Sequence, residues 1–141
     1  MATYNKHNQF VEDLCHGVHD FTATTGDALT AYLTNTLPTA ANSVLADLTS
    51  PVTTNLAPLV FPAGTRTSGQ TSGTYTLLLP DLEITASGAV ADFRYCGVYN
   101  DTPTSPLKPL ICWWDYGSTI TGMDSPDTFT YAFTSSTFTI A

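Results

Sequence analysis

Two apolar arms joined by a proline-rich connection limit this chain more than any other feature. The first arm reads Phe93-Arg94-Tyr95-Cys96-Gly97-Val98-Tyr99, the second Leu110-Ile111-Cys112-Trp113-Trp114-Asp115-Tyr116-Gly117. Each is aromatic, β-branched or otherwise apolar and about one strand long. The connection from Asn100 to Pro109 holds three of the nine prolines. No other stretch sets two such arms side by side, so the spacing predicts the central hairpin of a β fold. Side chains alternate across a strand, so Trp113 and Trp114 point to opposite faces, and so do Tyr95 and Cys96. Both faces of the hairpin therefore need cover. One is the main core; the other is expected to lie under the N-terminal helix or another subunit.

Around that hairpin the pattern is β. Leu29, Ala31 and Leu33 alternate with Thr30 and Tyr32, which predicts a half-buried strand over 28–34. Thr74 to Leu79, Leu82 to Ala86, Thr128 to Phe133 and Thr137 to Ala141 alternate likewise, with turns at Ser87-Gly88 and Ser135-Ser136. Ser43 to Leu48 fits a helical turn or a short extended piece equally well. Thr49 to Gly73 carries Pro51, Pro58, Pro62, Gly64, Gly69 and Gly73, and reads as a long loop or an arm held by a neighbouring subunit, with a short strand possible at Leu59 to Phe61. One helix is expected over about 4–20, because Phe10, Val11, Leu14, Val18 and Phe21 recur every three or four residues. Thr3 or Asn5 is its candidate cap, and Gly17 weakens its last turn. The expected fold is mainly β: one domain over 1–141, an antiparallel sandwich or barrel of about seven strands with one N-terminal amphipathic helix. Its β core would span 74–141 plus the strand at 28–34.

Charge narrows the function classes. Twelve carboxylates face four basic residues, for a net charge of −8. Lys6, Arg66, Arg94 and Lys108 are too few and too dispersed to track a nucleic-acid backbone. Charged residues are only 11% of the chain, and Ser and Thr fill about a quarter of it. Such a neutral, hydroxyl-rich surface tolerates flat contact with a neighbour. No apolar run approaches the ~18 residues that a membrane-spanning helix needs, and the polar stretch from Met1 to Gln9 is not a signal peptide. Cys15, Cys96 and Cys112 make an odd count, which suggests free buried thiols made in a reducing cytoplasm. One bridge between Cys96 and Cys112, on the two hairpin arms, is geometrically conceivable.

The residues that carry chemistry are sparse. Cys15 and His19, four apart with His16 between them, have a spacing that can hold a metal on a helix, but a structural zinc site needs four ligands. Half-buried helix positions are the simpler reading, and neither a metal nor a cofactor is expected. No phosphate-binding glycine loop and no nucleophile elbow occurs. Asp115, between Trp114 and Tyr116, is the best functional carboxylate, and Glu83 or Asp92 would be its partner in a glycosidase-like pair. The plainer reading is a solvated strand residue. An exposed Trp on a sheet face marks a protein interface or a carbohydrate platform, and charge-poor surroundings favour the interface.

Several segments together resemble a family of small virion proteins of tailed bacteriophages and prophages. They are Met1 to Leu14 with Gly17-Val18-His19-Asp20; Ala31 to Thr36 with Pro38; Ala46-Asp47-Leu48; Gln70 to Tyr75; Phe93-Arg94-Tyr95; Tyr99 to Thr102; and Trp113 to Ser118 with Ile120-Thr121. Thr49 to Thr67 departs from the family, being proline-rich where a glycine-rich approach is expected. The resemblance implies a non-enzymatic protein of the mature particle: a head-decorating (cement) protein, made in the host cytoplasm and bound outside the capsid. Its partners would be the major capsid protein and further copies of itself. A tail, neck or fibre-associated protein and a carbohydrate-binding module for host attachment are the alternatives. The residues expected to make the contacts are Tyr4, His7, Phe10, Pro58, Phe61, Trp113, Trp114 and Tyr116.

Overall fold

A computed structural model describes residues 4–133 and 137–141. The chain is mainly β, and the described residues form three antiparallel sheets of eleven strands, where about seven are predicted, with one α-helix. The strands are β1 (Tyr4–Lys6), β2 (Leu29–Thr34), β3 (Pro51–Val52), β4 (Leu56–Ala57), β5 (Thr67–Thr71), β6 (Thr74–Leu78), β7 (Leu82–Ala86), β8 (Phe93–Asn100), β9 (Leu110–Ile120), β10 (Thr128–Tyr131) and β11 (Phe138–Ile140). A five-stranded sheet runs β1-β9-β8-β2-β3, and two three-stranded sheets run β10-β7-β4 and β11-β6-β5. The predicted turn at Ser135-Ser136 and the candidate cap Thr3 lie outside the described residues.

The hairpin β8–β9 is the spine of the largest sheet, and β2 runs antiparallel beside it in an unbroken register from Leu29↔Asn100 to Thr34↔Tyr95. Its front face carries Ala31, Leu33, Cys96, Val98, Ile111 and Cys112 into a core shared with Leu56, Ile84, Leu77 and Phe138 of the two smaller sheets. Its back face carries Tyr32, Tyr95, Tyr99, Leu110 and Trp113 into a second cluster, closed by Leu45 and Leu48. All six residues of β2 are buried as a result, although alternation predicts a half-buried strand. The cover on the back face is the segment around the 3-10 turn Leu45–Asp47, neither the helix nor another subunit. Backbone bonds from Leu45 N–H to the Lys108 carbonyl (3.0 Å) and from Leu110 N–H to the Ser43 carbonyl (2.9 Å) tie it to the end of the hairpin.

Three sequence readings change in structure. The helix predicted over about 4–20 is only α1 (Gln9–Cys15). Tyr4, Asn5 and Lys6 instead extend the sheet, pairing with Trp114, Trp113 and Cys112. The apolar period misleads because it mixes two elements: Tyr4 to Lys6 gain ladder hydrogen bonds to β9, and Gly17 at φ +71 ends the helical turn. Phe21, counted in the helical stripe, is buried from a loop beyond the helix.

The second change concerns 49–73, read as a loop or arm. It is woven into all three sheets through β3, β4 and β5, with a bridge between Thr30 and Val60. Pro51 and Pro58 mark strand ends, and Val52, Leu56 and Phe61 are buried. The third concerns Cys15, expected as a buried thiol and exposed in the structure; the expectation of free thiols itself holds. Cys96 lies opposite Trp114 and Cys112 opposite Val98, so the ladder offsets the two thiols, and all three cysteines are free. Burial pushes the Cys96 thiol up to about 12.

Candidate functional site

The structure divides the eight expected contact residues. His7, Phe10, Phe61 and Trp113 are buried, at 0%, 2%, 4% and 6% exposure, and so give no surface to a partner. Phe10 is the inward face of α1, packed edge-on against Phe138 at 5.3 Å. Phe61 packs against Tyr131 and Phe133. Tyr4, Pro58 and Tyr116 are exposed, and Trp114 is half-buried. Trp113 and Trp114 do point to opposite faces, Trp113 into the back cluster and Trp114 against the front core.

Tyr4 and Trp114 form one exposed rim at the β1–β9 edge. Their Cα atoms are register partners and their rings meet edge-to-face at 5.8 Å. Trp114 packs inward on Tyr131 and Phe133 at 5.8 and 5.5 Å. Tyr116 extends the aromatic row by packing on Phe129 at 5.8 Å while staying 55% exposed. A register shift explains that exposure. Tyr95 pairs with Asp115 but Phe93 pairs with Ile120, so Tyr116 to Thr119 bulge out of the ladder.

Asp115 sits in this rim, but it is not free to act. Arg94 grips both its oxygens, from Nε to Oδ1 and from NH2 to Oδ2, each at 2.8 Å. The Gly117 N–H donates to Oδ1 at 2.8 Å. Those bonds, Arg94 first, hold the Asp115 carboxyl below its usual range. The partner of Asp115 is therefore the neighbouring-strand arginine, not Glu83 or Asp92. The hairpin register would have revealed this from sequence, because it brings Arg94 beside Asp115.

Two buried histidine clusters escape sequence reasoning. His7, expected on the helix, follows β1 and inserts between the sheet and its back cover. Its Nδ1 lies 3.1 Å from the Thr39 carbonyl and its Nε2 3.2 Å from the Tyr32 hydroxyl. A carbonyl only accepts, so Nδ1 carries the proton and Nε2 accepts from Tyr32. The ring lies 4.5 Å from that of Trp113. Burial lowers the His7 pKa to about 4, against the raising effect of the Thr39 bond. Tyr32 in turn packs against Gly97, its register partner, where a Cβ would clash with the Cζ, Cε1 and hydroxyl oxygen of Tyr32.

The second cluster joins the loop after α1 to the end of β8. His19 Nδ1 lies 3.1 Å from Asn100 Nδ2, which also donates to Asp27 Oδ2 at 2.6 Å. The Arg66 guanidinium donates to the Asp27 carbonyl at 2.7 Å. His19 stacks on Phe21 at 5.5 Å, and burial lowers its pKa. Its Nε2 and the nearby Asp13 Oδ2 are buried without a protein partner. A groove of about 510 Å³ opens beside it, lined in part by Leu14, His19, Phe21, Ser68, Tyr75 and Ile140. Because α1 ends at Cys15, Cys15 and His19 do not share a helical face. Among the described residues no three His, Cys, Asp or Glu side chains gather closely enough to hold a metal ion.

No helix among the described residues is long and apolar enough to cross a membrane. Compared with known proteins, the chain matches no family model, and no curated protein or solved structure shows significant similarity to it.

Proposed function

We propose that the chain is a non-enzymatic structural protein of a tailed-phage virion: a decoration, or cement, protein that binds the lattice of the major capsid protein and stabilises the head. The resemblance of its sequence segments to small virion proteins is the observation that carries this reading. Those segments fall on the frame of the molecule: β1 and α1, β2, the 3-10 turn, the β5–β6 tip, and β8 with β9. The surface chemistry agrees with it. Tyr4, Trp114 and Tyr116 offer aromatic area at one sheet edge, and the only charges of the adjoining Arg94–Asp115 pair are already matched to each other. Aromatic anchors with few unpaired charges suit a permanent interface. Weak single contacts suffice when many copies bind one lattice.

Heads lacking the protein test the proposal. Purified chain added to them should saturate the outer shell in electron cryo-microscopy, at a copy number that scales with the major capsid protein. The double substitution Tyr4→Ser with Tyr116→Ser should lower occupancy while the far-UV spectrum stays unchanged. Absence of binding to any head form overturns the reading, and density confined to the neck, tail or fibres replaces it with that station. The carbohydrate-binding alternative loses its main polar group, since Asp115 gives both oxygens to Arg94.

A further inference from the structure

The edges of the three sheets are not alike. β1 is three residues long and carries Lys6; β3 is two residues and begins at Pro51; β4 is two residues and runs into Pro58; β11 is three residues. β10 is four residues and is entered through Pro126 and Asp127. Short strands, prolines and charges are the usual devices that keep an edge from pairing. β5 has none of them. It reads Thr67-Ser68-Gly69-Gln70-Thr71, five residues in unbroken register with β6, from Thr67↔Leu78 to Thr71↔Thr74.

Gly69 sits in its middle. Among the described residues, its two chain neighbours aside, no atom lies within 4 Å of where its Cβ would sit, and its φ is not in the left-handed region. A glycine inside a strand costs stability and often marks the place where another backbone comes close. The hairpin geometry says which groups that backbone would meet. Ser72 and Gly73 form a two-residue turn with φ of 51° and 87°, which makes Thr71 and Thr74 a hydrogen-bonded pair. By alternation Thr67, Gly69 and Thr71 bond to β6, while Ser68 and Gln70 turn their N–H and C=O groups to the free side.

We propose that two copies of the chain join through this edge in an isologous dimer. Antiparallel pairing about a two-fold axis at Gly69 sets Ser68 against Gln70 of the second copy, and Gln70 against its Ser68. Each pair exchanges an N–H···O=C bond in both directions. The two glycines then face each other as a non-hydrogen-bonded pair, where Cα atoms approach to about 4.5 Å. A second copy is the occupant that this symmetry fits, because the edge is its own complement. Charge agrees: neither β5 nor β6 carries an ionisable side chain other than Tyr75, so two chains of net charge −8 can meet there without opposing carboxylates on the paired strands. Ser68, Tyr75 and Ile140 share one face of this sheet and line the groove beside His19. A two-fold axis perpendicular to the sheet keeps that face common, so the two grooves become one trough across the dimer. The dimer stands without the capsid assignment and is tested without particles.

Sedimentation velocity on the purified chain, over a dilution series, should show a dimer that dissociates as it is diluted. The amides of Ser68 and Gln70 should gain hydrogen-exchange protection with concentration, while those of Gly69 and Thr71 stay protected throughout. Ser68→Pro removes an outward N–H and spares the bonds to β6, so it should be monomeric with an unchanged melting curve. Gln70→Pro removes the other outward N–H and likewise spares the bonds to β6, so it should also be monomeric. A wild-type chain that stays monomeric at about 1 mM, or a Ser68→Pro variant that dimerises as tightly as the wild type, overturns the proposal.

Discussion

The two faces of the five-stranded sheet are both dry, but they are closed by different means. The front face meets two other sheets through aliphatic and aromatic side chains, with Leu33, Leu77, Ile84 and Phe93 all at 0% exposure. Its stability is area removed from water, which tolerates small shifts in position. The back face is narrow and is closed by a loop segment with one short turn. Its seal depends on placement: Tyr32 lying across Gly97, and His7 bridging Tyr32 to the Thr39 carbonyl. A loop has little apolar area to offer, so hydrogen bonds and ring packing take its place. The front face is therefore sensitive to lost volume, the back face to added volume and to protonation.

Substitutions on the two faces should separate these behaviours. Ile84→Ala empties part of the front core and should cost about 4 kcal/mol in urea unfolding, with the fold retained. Gly97→Ala adds one methyl under Tyr32 on the back face. It should cost about 3 kcal/mol, and tryptophan fluorescence should change because Trp113 lies in the same cluster. An Ala at Gly97 that is neutral would show the back face to be as plastic as the front.

Acid should also act on the back face. The folded His7 pKa lies at about 4, below its ordinary 6.5, so the unfolded chain binds the proton more tightly. Stability contributed by neutral His7 is complete above about pH 6.5 and is lost as pH falls towards 4. At about 1.4 kcal/mol per unit, the loss has an upper limit of about 3 kcal/mol. His19 shifts in the same direction and adds to the slope. An NMR titration of the His7 ring should give a midpoint near 4, and a midpoint near 6.5 would mean that the back cover opens freely. The smallest effect belongs to the rim. Arg94→Met breaks an ion pair whose side chains are 37% and 35% exposed, and it should leave the melting temperature within the scatter of surface substitutions.

Much of the front face was legible in the sequence, because it follows from alternation. Leu29, Ala31 and Leu33, the split of Trp113 from Trp114, and the separation of Tyr95 from Cys96 all appear where period-two reasoning puts them. The back face was not. His7 and Tyr32 are 25 residues apart, and no local pattern couples a histidine near one end to a tyrosine two elements later. The helix was overestimated for a related reason. The strand partner of Tyr4 to Lys6 is β9, and pairing at that range leaves no periodic trace. The region 49–73 looked unstructured because its prolines read as breakers, whereas in the fold Pro51 and Pro58 stand at the ends of two-residue edge strands, where a missing N–H costs little. Of the rim, the aromatic residues were visible and the Arg94–Asp115 grip was not, since it needs the register of the hairpin.

The pairing of Tyr4 with Trp114 also bears on the order in which the molecule is assembled. The first described strand can close the sheet only after most of the chain has left the ribosome. Until then β1 has no edge to pair with, and His7 lacks the Trp113 ring. Pairings so distant in sequence are slow to find. The back cover, the β1 strand and the aromatic rim should therefore arrive together and late, over a hairpin that is already formed. A refolding experiment would see this as burial of Trp113 lagging behind the gain of strand signal.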